Sequence, residues 1–504
     1  MFRRIALVVF LLFTVLAVVV ALKDDKEVTT SSREAYEHYL AGIEWKDNFY
    51  FRQAMEEFEQ AIKLDSNFAM AQAELADVYS ARGFTKKAKE MQATALAQRE
   101  HVSNREQLRI DIKKAQWDSR RDEAYELSQE YLKRFPEDID AITGMALQEF
   151  GRENYEESLR LFQAALKQDP KYAMGYNMLG YLNYYLGRYD EALAMLDKYI
   201  DLSREQANPH DSRGEILHAV GRYDEAIAEF RQAFNINPDF DFATLHTAQT
   251  YQALGQNRQT DYCFQVLFNQ APSEAKMLQY YNSWAGLMIY REEYDSARTL
   301  LAMSISRDPN NEMFALADAY RLLGTMCYRE QNLDSMRVVW NLAREVIKKT
   351  LAEKPQLSSL RGFQQYQRTM DATEADLEGR SEDALRLFSE AVNSATTPEE
   401  KLGYRVYYAD VLRRSGQLDL AISELQKNLS INPNHGRTLA RLADVYEAAG
   451  DLNAALAYRE RAAEVWKNAD PEFALVRELK SKLESSLASS ARTPVTPAGT
   501  PSIN

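Results

Sequence analysis

Residues 173–238 read AMGYNMLGYLNYYLGRYDEALAMLDKYIDLSREQANPHDSRGEILHAVGRYDEAIAEFRQAFNINP, and this stretch decides how the chain folds. It contains one motif written nearly twice. The string GRYDEA begins at Gly187 and begins again at Gly221, 34 residues later. A fixed period of this length is typical of a repeat array, in which one helical or stranded unit stacks on copies of itself.

Each copy has the apolar pattern of two amphipathic helices joined by a short turn. Gly187 is expected to end the first helix, because glycine enters the left-handed conformation of a helix C-cap without strain. In the second helix, Ala192, Leu196 and Tyr199 fall on one face at positions i, i+4 and i+7. Pro238 then stops the second helix. The sequence therefore predicts helical hairpins rather than strands.

This motif resembles the tetratricopeptide repeat, a helical hairpin of 34 residues. The small residue expected in the second helix recurs along the chain at Ala54, Ala88, Ala124, Ser158, Ala192, Ala226 and Thr260. The resemblance implies an all-α fold, a right-handed superhelical α-solenoid of about twelve helix-turn-helix repeats. It also implies a concave groove, formed by the first helices, that holds a peptide or a helix of a partner protein.

The spacing of the motif predicts how the array is divided. Residues 34–311 are predicted as its N-terminal part, and residues 312–467 as a C-terminal part with insertions, because the period loosens after Asn311. Residues 468–487 are predicted as a capping helix, which shields the last repeat from water. Residues 488–504 are rich in Ser, Thr, Pro and Ala and are predicted to be disordered.

The N-terminal segment, residues 1–22, is strongly apolar. Residues 5–22 contain one polar side chain, Thr14, and would form a helix about 27 Å long, close to the thickness of a bilayer core. Two readings stay open, an uncleaved transmembrane anchor or a cleaved signal peptide. Residues 23–33 are predicted as a tether.

The charges beside this segment predict a location. Arg3 and Arg4 precede the apolar run, and the positive-inside rule then places the repeats outside the cytoplasm. We therefore predict a single-pass protein of the inner membrane with periplasmic repeats. The alternative is secretion to the periplasm after signal cleavage.

No pattern in the sequence predicts catalysis, a cofactor or a metal site. Metalloprotease, nucleophile-elbow, phosphate-loop and dinucleotide motifs are absent from the sequence, and its two cysteines and six histidines do not cluster. The net charge of −14 argues against nucleic-acid binding, which needs a clustered basic surface. Basic pairs such as Arg413 and Arg414 are interpreted as solvated helix faces.

Function is therefore predicted to reside on the groove formed by the first helices. The residues predicted to face it are Asn177, Tyr181, Tyr184, Asp211, Glu215, His218, Phe242, His246, Gln249 and Asn282. Aromatic, amide and acidic side chains together suit a protein or peptide partner rather than a small-molecule substrate.

Two hypotheses for the function follow. The first is a non-catalytic scaffold of the bacterial cell envelope that binds a protein partner. The second is an extracytoplasmic sensory or regulatory module that acts with a separate kinase or transcriptional regulator. The second hypothesis depends on residues 207–215, whose sequence ANPHDSRGE is similar to junctions in bacterial regulatory arrays.

Overall fold

The computed structural model describes residues 28–307, 313–353 and 361–490. Across these three ranges the chain forms twenty-five α-helices and one short 3-10 helix, and it contains no strand. The chain divides into two compact units, Met1–Gln148 and Glu149–Asn504.

The first unit holds six complete helices and most of a seventh. They are α1 (Arg33–Asp47), α2 (Phe51–Leu64), α3 (Ala69–Ala81), α4 (Thr85–Ala97), α5 (Asn104–Trp117), α6 (Arg121–Arg134) and α7 (Ile139–Gly151), which crosses the division. The 3-10 helix, Arg99–His101, precedes α5.

The second unit holds eighteen further helices. They are α8 (Tyr155–Gln168), α9 (Ala173–Tyr185), α10 (Tyr189–Leu202), α11 (Ala207–Ala219), α12 (Tyr223–Ile236), α13 (Asp241–Ala253), α14 (Asn257–Gln270), α15 (Glu274–Tyr290), α16 (Tyr294–Ser306), α17 (Met313–Arg329), α18 (Leu333–Glu353), α19 (Arg361–Leu377), α20 (Ser381–Ser394), α21 (Pro398–Arg414), α22 (Leu418–Ile431), α23 (Gly436–Ala448), α24 (Leu452–Val465) and α25 (Ala474–Ser490).

The helices α1 to α6 in the first unit and α9 to α24 in the second unit alternate as the first and second helices of hairpins, which agrees with the predicted α-solenoid. The turn after α11 shows how a hairpin closes. Gly221 adopts a φ of +81°, and the next residue, Arg222, donates its backbone N–H to Leu217 O at 2.8 Å. The left-handed conformation explains why glycine recurs at this point of the repeat.

A small residue on the first helix lets the second helix approach closely. A Cβ added to Gly180 would lie 2.7 Å from Leu196, and a Cβ added to Gly214 would lie 2.5 Å from the ring of Phe230. The two glycines occupy the same position of successive repeats, and so do the two large side chains. The repeated pattern of the sequence is therefore a pattern of packing between paired helices.

The hairpins of the second unit turn far enough for its last repeats to contact its middle ones. Asn432 Nδ2 donates to Tyr223 Oη at 3.1 Å, and Asn434 Nδ2 donates to Gly221 O at 3.1 Å. Each pair joins residues more than 200 positions apart in sequence. The turn before α23 thus rests on the start of α12.

The residues that follow α24 also contact the middle repeats of the second unit. Trp466 Nε1 donates to Ala253 O at 3.0 Å, and Asp470 N donates to Gly255 O at 3.0 Å. Phe473 is fully buried beside Gly255. We call these contacts, together with those of Asn432 and Asn434, the closure.

The predicted localisation as a single-pass inner-membrane protein is corrected by the structure. Within the described residues, no helix combines the length and apolarity that crossing a membrane requires. The longest, α18, has 21 residues but carries charged side chains such as Arg337, Arg344 and Lys348. Residues 1–22, predicted as an anchor or signal peptide, lie outside the described residues. Residues 491–504 of the predicted tail lie outside them as well.

Candidate functional site

The closure leaves a cavity of about 490 Å³ inside the second unit. The first helices of six different hairpins line it, so it is the inner surface of the curved array. Each of these helices contributes side chains, including His218 from α11, Gln249 from α13, Tyr290 from α15, Arg329 from α17, Tyr407 from α21 and Arg437 from α23. We call this space the interior cavity.

All ten residues predicted to face the groove lie on four successive first helices, α9, α11, α13 and α15. Gln249 is exposed, and four others are buried, namely Asn177, Tyr184, Asp211 and Asn282. The remaining five, Tyr181, Glu215, His218, Phe242 and His246, are partly buried. Of the ten, His218 and Gln249 line the interior cavity, and a role in partner binding stays a prediction for all of them.

Four of the predicted residues form two neighbouring hydrogen-bonded pairs, which together we call the acidic cluster. His246 Nδ1 lies 3.0 Å from Asp211 Oδ1, and the Tyr181 hydroxyl donates to Glu215 Oε2 at 2.6 Å. Burial raises the pKa of Glu215, and the neighbouring charge of Asp211 raises it further. The cluster thus collects negative charge on the inner face of α11.

The acidic cluster has the composition of a metal site but already holds a counter-charge. Asp211, Glu215 and His246 each offer a ligand atom, and these atoms lie within 4.8 Å of one another. Burial alone would lower the pKa of His246, but Asp211 and Glu215 outweigh it and raise this pKa to about 9. A protonated His246 neutralises part of the cluster at neutral pH, so its geometry alone does not assign a metal.

His218 differs from His246 although both lie on the inner face. Its Nδ1 lies 2.8 Å from Thr250 Oγ1. Burial lowers the pKa of His218 to about 4, and the charge of His246 contributes to the shift. At neutral pH His218 is therefore an uncharged hydrogen-bonding group at the wall of the interior cavity.

Positive charge collects on the opposite part of the cavity wall. The Arg437 guanidinium lies over the ring of Tyr290, 4.2 Å from its centroid. Arg329 donates to Tyr407 Oη at 3.4 Å and to Ile289 O at 3.3 Å. The interior cavity therefore has a basic side on α17 and α23, whereas Asp211, Glu215 and His246 of the acidic cluster lie outside its lining.

Comparison with known families bears on this architecture. Two family models, both described as tetratricopeptide repeat, match the chain over residues 143–209 and 210–240. The chain contains tetratricopeptide repeats. The matched residues include α9 to α12, the two hairpins whose sequences are nearly copies.

Three solved structures are among those similar to the chain. A tetratricopeptide repeat protein from Parabacteroides merdae is 14% identical, with a TM-score of 0.35, over 58% of this chain and 99% of its own. A thermophilic tetratricopeptide repeat protein of Thermus thermophilus is 21% identical, with a TM-score of 0.33, over 36% of this chain and 99% of its own. MamA is 18% identical, with a TM-score of 0.28, over 34% of this chain and 94% of its own. No curated protein sequence matches the chain.

Sequence reasoning missed the basic side of the cavity. Arg329 and Arg437 lie after Asn311, beyond the point where the period of the motif loosens. Arg413, interpreted from the sequence as solvated, also lines the cavity, and its Nε is enclosed. The repeat pattern places these arginines on first helices, and that position could have suggested a role in the cavity. Only the closure, however, brings them opposite α11.

We expect the acidic cluster to stabilise the protein in a pH-dependent way. The folded pKa of His246, about 9, is above its ordinary value of 6.5, so its contribution is complete below pH 6.5 and disappears as the pH rises through 9. H246Q should therefore lower the free energy of unfolding by on the order of 2–3 kcal/mol at pH 6 and by much less at pH 9.5. Urea unfolding across this range measures the difference.

A second variant, D211N, tests the same interaction from the other side, because it removes the main charge that raises the pKa of His246. It should flatten the pH dependence in the same way. A loss for H246Q that is equal at pH 6 and pH 9.5 would contradict the assignment of a protonated His246.

Proposed function

We propose that this protein is a non-catalytic scaffold whose second unit binds a segment of a partner protein on the inner face of its first helices. Tetratricopeptide repeats serve protein–protein interaction in general, and their fold is generally non-catalytic. Stacked hairpins of this kind leave an extended concave surface, which is the usual binding surface of a solenoid.

One observation carries the proposal, the alignment of polar and aromatic side chains from consecutive first helices along one surface. Tyr181 of α9, Glu215 of α11 and Phe242 of α13 are each partly accessible. Phe242 also lies under Lys276 Nζ, 5.3 Å from the ring centroid. Aromatic anchors beside charged groups are the side chains that contribute most to binding energy in protein interfaces.

Burial separates residues that can touch a partner from residues that position them. Gln249 is exposed and lines the interior cavity. Tyr184, in contrast, is 3% exposed and donates its hydroxyl to Glu399. In this proposal Gln249, Phe242 and Glu215 contact the partner, whereas Tyr184 holds α9 against α21.

Site-specific crosslinking tests where the partner binds. A photo-crosslinking amino acid placed at Gln249 is expected to form adducts with the partner in cells that produce the native chain. The matched position is Gln232, an exposed glutamine on the second helix α12, which should give no such adduct. Adducts at Gln232 alone would place the partner on the outer face and refute the proposal.

A pair of double variants then tests which side chains matter. F242A/Q249A should weaken binding of the captured partner at least tenfold, because it removes an aromatic anchor and an accessible amide. F234A/Q232A removes the same side-chain types from the outer face of α12, where Phe234 is 36% exposed, and should leave binding unchanged. Equal affinity of both variants, with both folded, would contradict the proposed surface.

A further inference from the structure

We propose that the interior cavity is a binding site for a small organic anion, held by the guanidinium groups of Arg329 and Arg437. This inference goes beyond the proposed scaffold function, because the ligand is a small molecule enclosed by the second unit rather than a protein segment on its inner face. It also differs from the sequence-based expectation that no small-molecule ligand binds.

Arg329 and Arg437 lack the counter-charges that buried arginines normally have. Among the described residues, neither forms an ion pair with a carboxylate, and the Nε atom of each is enclosed without a hydrogen-bond acceptor. Arg329 is held by two weak hydrogen bonds, to Tyr407 Oη and Ile289 O, and Arg437 by the face of Tyr290. A guanidinium has five N–H donors, so both groups keep donors for a ligand.

Two other arginines at the same cavity show the usual arrangement. Arg414 lies 2.5 Å from a carboxylate oxygen of Asp376. Arg441 lies between two carboxylates, 3.4 Å from Asp410 and 3.2 Å from Asp444. The protein therefore neutralises these two guanidinium groups itself and leaves the charges of Arg329 and Arg437 facing the cavity.

The titration of neighbouring groups agrees with an excess of positive charge. Burial would raise the pKa of the Tyr407 hydroxyl, yet the charges of Arg329 and Arg437 outweigh burial and lower it. Burial lowers the pKa of Arg437 to about 10, and the charge of Arg329 contributes to the shift. Unpaired charge in an enclosed site is costly, and a bound anion would remove that cost.

The size and walls of the cavity define the ligand class. Its volume, about 490 Å³, falls in the range of small-molecule sites, roughly 300–1,000 Å³. The cavity is also lined by Tyr223, Tyr290, Tyr328 and Tyr407, whose ring faces can pack against the body of a ligand. The planar guanidinium fork matches both carboxylate and phosphate oxygens, so the shared chemistry is an oxyanion on a compact organic body.

The test uses the full chain with inorganic phosphate and citrate as probes. Each is titrated at constant ionic strength, with chloride as the balancing anion, while calorimetry and the thermal unfolding midpoint are followed. We expect saturable binding and a higher midpoint with one or both probes. Preference for phosphate would identify a phosphate-bearing ligand, and preference for citrate a carboxylate-bearing one.

Variants locate the site. R329Q and R437Q should each weaken binding at least tenfold, whereas R437K, which keeps the charge but loses the planar fork, should weaken it less. The control R160Q removes an exposed arginine on α8 and should change nothing. The bound anion should also raise the pH at which Tyr407 ionises, which ultraviolet difference spectra of wild type and Y407F detect.

Absence of binding by both probes, or equal binding by wild type and the folded R329Q/R437Q variant, would overturn the proposal. A bound anion that leaves the Tyr407 transition unchanged would do so as well. None of these outcomes affects the crosslinking test at Gln249, so failure of the anion site and failure of the scaffold function are distinguishable.

Discussion

Replacing Phe473 with alanine should lower the free energy of unfolding of the second unit by about 3–5 kcal/mol and open the closure. Phe473 is fully buried between elements far apart in sequence. Its ring stacks on Tyr290 with centroids 6.4 Å apart and meets Trp466 edge-on at 5.6 Å. A Cβ added to Gly255 would lie 2.6 Å from this ring, so the ring packs directly on the turn after α13.

Hydrogen exchange separates this effect from a general loss of stability. F473A should increase exchange at residues 251–258 and at the end of α24, because both sides of the closure lose their shared contact. The matched control is F162A, which removes an equally buried ring from α8. It should cost a similar free energy of unfolding without this local change. Unchanged exchange at residues 251–258 in F473A would refute the role given to Phe473.

Replacing Glu74 with glutamine should destabilise the first unit by about 3–5 kcal/mol, since removal of one partner leaves buried charges uncompensated. Glu74 is 2% exposed and contacts three cations. Its carboxylate oxygens lie 2.8 Å from Lys46 Nζ, 3.2 Å from Lys113 Nζ and 3.8 Å from Arg109 Nη2. These residues come from three first helices, α1, α3 and α5, so one carboxylate joins three hairpins.

The loss should depend on pH with a defined sign. Burial would raise the pKa of Glu74, but Lys113, Lys46 and Arg109 outweigh it and hold this pKa well below its ordinary value of 4.5. Its contribution is therefore complete above pH 4.5 and decreases as the pH falls below that value. Urea unfolding of wild type and E74Q between pH 3 and pH 7 should show the difference narrowing at the acidic end.

An exposed glutamate of the same unit provides the control. E56Q alters a surface pair with Arg52, and such pairs contribute about 0–1 kcal/mol. If E74Q and E56Q cost the same free energy of unfolding, the buried ion group does not stabilise the first unit as described.

The hairpins could be predicted from the sequence because each one depends on local information. Glycines at the turns, such as Gly187 and Gly221, and the small residues opposite large ones recur within 34 residues. The repeated motif appears in the structure as repeated hairpins, and hairpins also form after Asn311, where the spacing of the motif had loosened.

The closure could not be predicted in this way. It results from the summed rotation of many hairpins, and it joins residues such as Tyr223 and Asn432 that lie 209 positions apart. Small differences in the packing of each pair decide whether the ends meet. No single sequence motif determines the summed rotation of the hairpins.

The candidate site was consequently predicted only in part. The repeat pattern places Asp211, Glu215 and His246 on one inner face, and the structure brings them together. The pattern does not reveal that Glu399 covers Tyr184, or that Arg437 faces the same cavity as His218. Both facts depend on the closure.

The most direct test of the account is a distance measured across the closure. Asp224 of α12 and Lys467 after α24 are both exposed. Glu464 is the main group that raises the pKa of Lys467, and Asp224, from the other side of the closure, lies near enough to contribute. Spin labels at these two positions should give one narrow distribution at the short end of the measurable range. A long or broad distribution would show that the second unit is open, and would contradict both the enclosed cavity and the anion site derived from it.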